Sequence, residues 1–178
     1  DNNGEYPKID FSPKPESVNF DCSRTWDLIG QGNTKGVFQL ESRLGHMMAK
    51  KLKPENIEQL SALISILRPG TLEAIRDGKS VTNHYIDKKN GLESIDYFHQ
   101  ALEPSLSSTL GEMIYQEQAM QIARDIAGFD LKDADSLRKI IGKKQVAQMA
   151  AMKNKFLEGC KKTNIVRSEE HTSELQSH

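Results

Sequence analysis

No run of apolar residues in the 178-residue chain approaches the ~20 needed to cross a membrane, and no stretch has the order of a secretory signal. Membrane association is therefore not expected, and a cytoplasmic setting is. Cysteine is nearly absent: Cys22 and Cys160 lie far apart and outside any CxxC spacing, so free thiols in a reducing compartment are expected. Aromatic residues make up 6% of the chain and hydrophobic residues 37%, which is lean for a self-sufficient globule of this length. That composition, with Asp1 rather than Met at the start, suits a piece of something larger. An excess of one charge is missing as well. Lys and Arg total 24 against 25 Asp and Glu, for a net charge of −1. Any nucleic-acid signal must then be local rather than global.

The usual catalytic constellations are also lacking. The five histidines are scattered, with no metal-ligand spacing and no Ser/His/Asp or Cys/His arrangement. Gly-rich phosphate loops of the Walker or dinucleotide kind do not occur. No catalytic residue and no metal ligand is assigned within the chain.

Helical periodicity is what the chain does have, and the expected class is mainly α. Residues 1–22 read as an irregular connector rich in Asn, Pro, Lys and Ser. A short helix is expected over 23–30 with Ser23 as its cap, then a turn at 32–36. A short extended apolar segment is expected at 37–40. A helix opened by Glu41 or Ser42 follows, with Leu44, Met47 and Met48 inward. Pro54 suits a helix start, and 55–67 places Ile57, Leu60, Ile64 and Leu67 on one stripe, stopped by Pro69 and Gly70. Residues 71–108 are the least regular, apart from a short helix near 81–89. Three further helices are expected over 112–127, 131–141 and 145–162. Gly128 closes the first, Asp133 caps the second and Gly142 ends it. In the third, Val146, Met149, Phe156 and Cys160 fall near one face. The tail 167–178 is polar and aperiodic. It resembles the in-frame translation of a sequencing-library adapter and is set aside from the fold, with a natural disordered tail as the alternative. On the adapter reading the natural gene continues past Val166.

Charge is concentrated at one place. Between Arg138 and Lys162 lie Arg138, Lys139, Lys143, Lys144, Lys153, Lys155, Lys161 and Lys162, opposed in that span by Glu158. Phosphate recognition uses such charge for both affinity and orientation, and Arg138 adds a planar fork for phosphate oxygens. The plain alternative is a solvated helix face. Asp133 and Asp135 have the D-x-D spacing of a two-metal clamp. On a helix, however, residues two apart point about 200° from each other, so a capping role is favoured for Asp133. Arg68 before Pro69 and Gly70 reads in isolation as a helix-terminal cation at an ordinary stop.

Separated words in this chain resemble, in order, the α subunit of bacterial DNA polymerase III, the C-family replicative polymerases. They are GVFQLES at 36–42, LRPG at 67–70, YIDKKNG at 85–91, YQEQAMQIA at 115–123, and ADSLRKIIGKK at 134–144. A helix with Met149, Phe156 and Gly159 follows. The resemblance spans about 23–162. Thr71, Lys139, Ile140–Ile141 and the position of Gly45 depart from the family pattern, which suggests a divergent branch.

The resemblance implies a helical fingers-domain fragment over 23–166, joined through residues 1–22 to a palm domain outside the chain. The intact enzyme would be a DNA-directed DNA polymerase, transferring nucleotides from dNTP to a primer 3′ end on a DNA primer-template. Arg68, Arg138, Lys139, Lys143 and Lys144 are its candidates for contacts to triphosphate or DNA phosphates. Gln39 and Ser42 would face the nucleotide, with Tyr115 and Gln118 in support. Mg²⁺ would be bound by the palm. The sliding clamp and replisome subunits would meet other parts of the enzyme, and the isolated fragment would be inactive. The alternative is a non-catalytic helical module that binds nucleic acid or a partner protein.

Overall fold

The computed structural model describes residues 19–143 and 145–163. Most of the connector, Lys144 and the 167–178 tail lie outside the described residues. The fold is mainly helical, and the chain divides into two compact units, 1–64 and 65–178.

In the first unit, helix α1 (Ser23–Gly30) packs against α2 (Arg43–Leu52). Cys22 rather than Ser23 takes the N-cap position of α1. The expected extended segment at 37–40 is instead a turn. Gly36 (φ 81°) and Gln39 (φ 62°) both turn left-handed, and the Leu40 N–H donates to the Val37 carbonyl. The buried Thr34 hydroxyl fixes this loop by donating to the Leu40 carbonyl at 2.6 Å, and His46 Nδ1 lies 2.7 Å from both that hydroxyl and the Gly32 carbonyl. Leu40 is thereby pulled into the core beside Ile29, Met48, Ala49 and Leu52, while Phe38 stays exposed. Ser42 caps α2, accepting from the Gly45 N–H at 3.0 Å. Met48 is buried as expected, but Met47 is exposed.

Helix α3 (Ile57–Ile66) starts after Pro54 rather than at it. A reciprocal cap sets the start: the Gln59 N–H donates to Asn56 and the Glu55 N–H to the Gln59 side chain. Its buried face is Ala62, Leu63 and Ile66, and Ile57 is exposed. The other residues of the expected stripe, Leu60, Ile64 and Leu67, are half-buried; the helix is apolar on most sides, so its period alone does not choose the innermost face.

In the second unit, Pro69 does not merely stop a helix. It opens α4 (Pro69–Glu73) from the first helical position, with Arg68 as N-cap. A minimal antiparallel hairpin follows, β1 (Ile75–Arg76) and β2 (Lys79–Ser80), turned by Asp77 and Gly78 with φ of 50° and 74°. Ser80 caps α5 (Val81–Lys89), where the helix was expected. Short 3-10 turns flank α6 (Glu103–Leu106), and the chain then enters α7 (Gln116–Ala127), α8 (Leu131–Gly142) and α9 (Val146–Lys162).

These last three helices pack on each other. Gly128 (φ 66°) ends α7 as expected. Asp130, not Asp133, caps α8 by accepting from the Asp133 N–H at 2.7 Å. The core is Ala123, Ala127 and Phe129, with Leu137, Met152, Phe156 and Cys160 against it. Phe129 and Phe156 meet edge to face at 6.2 Å.

A charged network fastens the approach to α7. Glu112 is buried and receives the Arg76 guanidinium on both oxygens at 2.6 and 3.0 Å. Lys88, also buried, donates to Glu112 at 3.0 Å and to Asp96 at 2.7 Å. Beside it, Lys79 pairs with Asp87 and Glu93, and His84 bridges Glu93 and the Arg76 carbonyl. Hairpin, α5 and the segment before α7 are thus tied together. The Lys88 hydrogen bond holds the Asp96 carboxyl below its ordinary range. Burial pushes Glu93 upward, but Lys79 and His84 outweigh it and leave that carboxyl low as well. Both groups ionise more readily folded than unfolded, so their stabilisation is present above about pH 4 and is lost as pH falls through the lowered folded values. The urea midpoint is expected to fall on acidification below about pH 4. A midpoint flat through that range would contradict the pairing.

Candidate phosphate-binding site

Helices α7 and α8 are joined by the tight turn at Gly128, and the Gln116 side chain lies beside Gly142. The N-terminal end of α7 and the C-terminal end of α8 therefore sit together. Tyr115 and Gln118 belong to the first of these ends, Arg138, Lys139 and Lys143 to the second. Cations at a helix C-terminus complement its dipole, so the local fold tolerates this concentration of charge.

Gln118 is a buried strut. Its carbonyl oxygen accepts from the Ile114 and Tyr115 N–H groups at 2.9 and 3.0 Å, and its amide nitrogen donates to the Ser105 carbonyl and the Thr109 hydroxyl. With its oxygen and its nitrogen each holding two partners, it orders the entry to α7. Tyr115 is the N-cap and lies near enough to Tyr85 to add to the effect of burial, which pushes the Tyr85 phenol up to about 12. The YIDKKNG and YQEQAMQIA words, distant in sequence, are thus neighbours in the fold.

Arg138 and Lys139 converge on one carboxylate. Arg138 donates from Nε and Nη2 to Asp135 Oδ1 at 3.1 and 2.8 Å, and Lys139 Nζ lies 2.7 Å from Oδ2. These contacts hold the Asp135 carboxyl below its usual range, Lys139 contributing most. Arg138 keeps 40% of its side chain exposed and Lys139 60%, so both remain open to a ligand. Lys143 is the exposed C-cap of α8.

The two aspartates of D-x-D serve different partners. Asp133 pairs with Lys155 of α9 at 2.5 Å, while Asp135 stays with the cations of its own helix. That division does not fit a metal clamp. Among the described residues, His84, Glu93 and Glu112 are close enough to share a cation. Glu112 already receives Arg76 and Lys88, and Glu93 receives Lys79, so that group does not fit a resident metal either.

The remaining candidates belong to other elements. Arg68 is exposed at the start of α4, in the second unit. Gln39 and Ser42 belong to the first unit, Gln39 exposed at its left-handed position and Ser42 with its hydroxyl oxygen used as a cap. A residue held at positive φ without being glycine is a strained one, of the kind that clusters at functional sites. Asp135 was weighed in the sequence only as a metal ligand; its spacing of three and four to Arg138 and Lys139 was the available sign of an ion-paired clamp.

Comparison with known proteins agrees with the words. Residues 5–164 match the family described as the bacterial DNA polymerase III alpha subunit finger domain. The chain is 41% identical to DNA polymerase III subunit alpha of Aquifex aeolicus over 139 residues, covering 78% of this chain and 12% of that protein. It is 40% identical to that of Caulobacter vibrioides over 158 residues, covering 89% and 13%. For Escherichia coli K12 the identity is 38% over 168 residues, covering 92% and 14%. The chain thus spans about an eighth of the length of these relatives. It belongs to the bacterial DNA polymerase III alpha subunit finger-domain family.

Proposed function

We propose that this segment is the nucleotide-gripping part of a DNA-directed DNA polymerase, and that Arg138, Lys139, Lys143 and Lys144 hold the triphosphate of the incoming dNTP or the adjoining DNA phosphates. The observation that carries the reading is the meeting of an exposed guanidinium and ammonium on one face of α8, at the end that abuts the start of α7. A planar donor beside a point charge suits the several oxygens of a triphosphate. Arg68 is a further phosphate candidate of the second unit and Gln39 and Ser42 are nucleotide candidates of the first, with Tyr115 and Gln118 ordering the entry to α7.

The whole enzyme would transfer a nucleotidyl group to a primer 3′ end on template DNA, in the cytoplasm, together with a sliding clamp and replisome subunits. Mg²⁺, when bound, supplies alignment of the 3′-hydroxyl with the α-phosphate and neutralisation of the leaving pyrophosphate. Its ligands would come from a palm domain. What these residues add is positioning and fixed positive charge.

In single-nucleotide incorporation by the full-length polymerase, Arg138→Ala is expected to raise KM for dNTP by about 10-fold or more, since a lost charge-assisted pair is worth roughly 1.5–3 kcal/mol. Arg138→Lys should recover part of the loss. An unchanged KM in both variants would end the assignment.

A further inference from the structure

We propose that Asp135 is a built-in counter-ion that holds Arg138 and Lys139 in the absence of nucleotide, yields them to the triphosphate, and takes them back when pyrophosphate leaves. The inference rests on the phosphate-binding reading above and adds to it the device that keeps the site from holding its product. One carboxylate takes both cations on different oxygens: Arg138 through Nε and Nη2 on Oδ1, Lys139 on Oδ2. It therefore does to these two side chains what a phosphate would do, gathering them at one place and neutralising half their charge.

The position permits an exchange. Asp135 keeps 39% of its side chain exposed, in the same range as its two partners, so the triad is reached from solvent rather than sealed in the core. The pairs are spaced three and four residues along one helix, and such exposed pairs are weak and easily traded. The Asp135 contact uses Nε and Nη2 of Arg138 and leaves Nη1 outside it, so a first phosphate oxygen can be met before the pair is broken. Asp133 shows the contrast. Its partner is Lys155 on α9, a bond that ties two helices, and Lys155 also lies 5.6 Å from the Phe129 ring over the core. Of the two carboxylates, one fastens the fold and the other faces the cations proposed to bind phosphate.

Removing the competitor has an unusual sign. Most substitutions in a binding site weaken binding, whereas loss of a counter-ion strengthens it, because the ligand no longer has to displace two ion pairs. The variants Asp135→Asn, Asp135→Glu and Arg138→Ala of the full-length polymerase would be compared in single-nucleotide incorporation. The readouts are KM for dNTP, kcat, and inhibition by inorganic pyrophosphate. For Asp135→Asn, KM should fall by about 2- to 10-fold, the span expected for two exposed pairs, and pyrophosphate should inhibit at correspondingly lower concentration. kcat should not rise with them. Asp135→Glu, which keeps the charge, should stay near the parent on both counts. A rise in KM for Asp135→Asn, matching Arg138→Ala, would overturn the counter-ion role and make Asp135 an ordinary support. An unchanged KM and unchanged pyrophosphate inhibition would overturn it too. If Arg138→Ala itself changes neither quantity, the phosphate site fails, and the counter-ion role with it.

Discussion

Replacing Glu112 with alanine is expected to lower the stability of the chain by about 3–5 kcal/mol, the cost of stranding a buried charge. Glu112 is 1% exposed and takes two cations, Arg76 on both oxygens and Lys88 on one. Without it Lys88, whose side chain is fully buried, keeps Asp96 alone. Burial by itself pulls the Lys88 ammonium toward the neutral form, and it is Asp96 and Glu112 together that hold its pKa above the ordinary lysine value. Arg76 suffers less, since it is partly exposed and also stacks over Phe98 at 5.4 Å. The double variant Glu112→Leu with Lys88→Met should lose less than the sum of the single changes, because the fully buried Lys88 charge goes with its partner, and the charges left behind, Arg76 and Asp96, are both reached by solvent. Urea unfolding of the single and double variants at pH 7 checks both statements. A strictly additive pair would show that the two charges do not depend on each other.

Glycine to alanine within an exposed helix normally stabilises by about 1 kcal/mol. At Gly159, inside α9, the opposite is expected. A Cβ there would lie 2.0 Å from the Ala127 carbonyl oxygen and 2.9 Å from the Ala127 Cβ. The obstacle is backbone and cannot swing aside, so α9 must lift from the end of α7. The same junction carries the Thr163 hydroxyl, which donates to the Ile126 carbonyl at 2.5 Å. We expect Gly159→Ala to cost about 3 kcal/mol, at the upper end for overpacking. Gly142→Ala is the contrast, because its Cβ would meet the Gln116 side chain at 3.7 Å, an ordinary contact. It should be neutral or slightly stabilising. Equal urea midpoints for the two variants would contradict the close crossing of α7 and α9.

The contrast between Gly128 and Gly159 shows what was legible. Gly128 follows an apolar period and precedes a new one, so its capping role is written locally, and the structure places it there with a left-handed φ. The need for Gly159 comes from Ala127, far away in sequence, and no local pattern carries that. Lys88 is a similar case. It sits next to Lys89 and looks like another surface lysine, yet it shares a helix face with the buried His84 and Tyr85, four and three residues earlier. Burial in α5 runs over Thr82, His84, Tyr85, Ile86 and Lys88, on more than one side of the helix, so no single apolar stripe marks Lys88 as inward. The hairpin at 75–80 was missed although Asp77–Gly78 is a turn signal, because strands of two residues have no alternation to read. The basic end of α8 was legible as charge density. Its sharing of Asp135 follows from spacing, once the helix is granted.

Whether the Arg138–Lys139 face of α8 grips the triphosphate is decided by a structure of the full-length polymerase with primer-template DNA and a non-hydrolysable dNTP. The Arg138 guanidinium is expected there released from Asp135 and within hydrogen-bond distance of a β- or γ-phosphate oxygen. A bound nucleotide whose phosphates are met by other residues, with Arg138 still paired to Asp135, would contradict it.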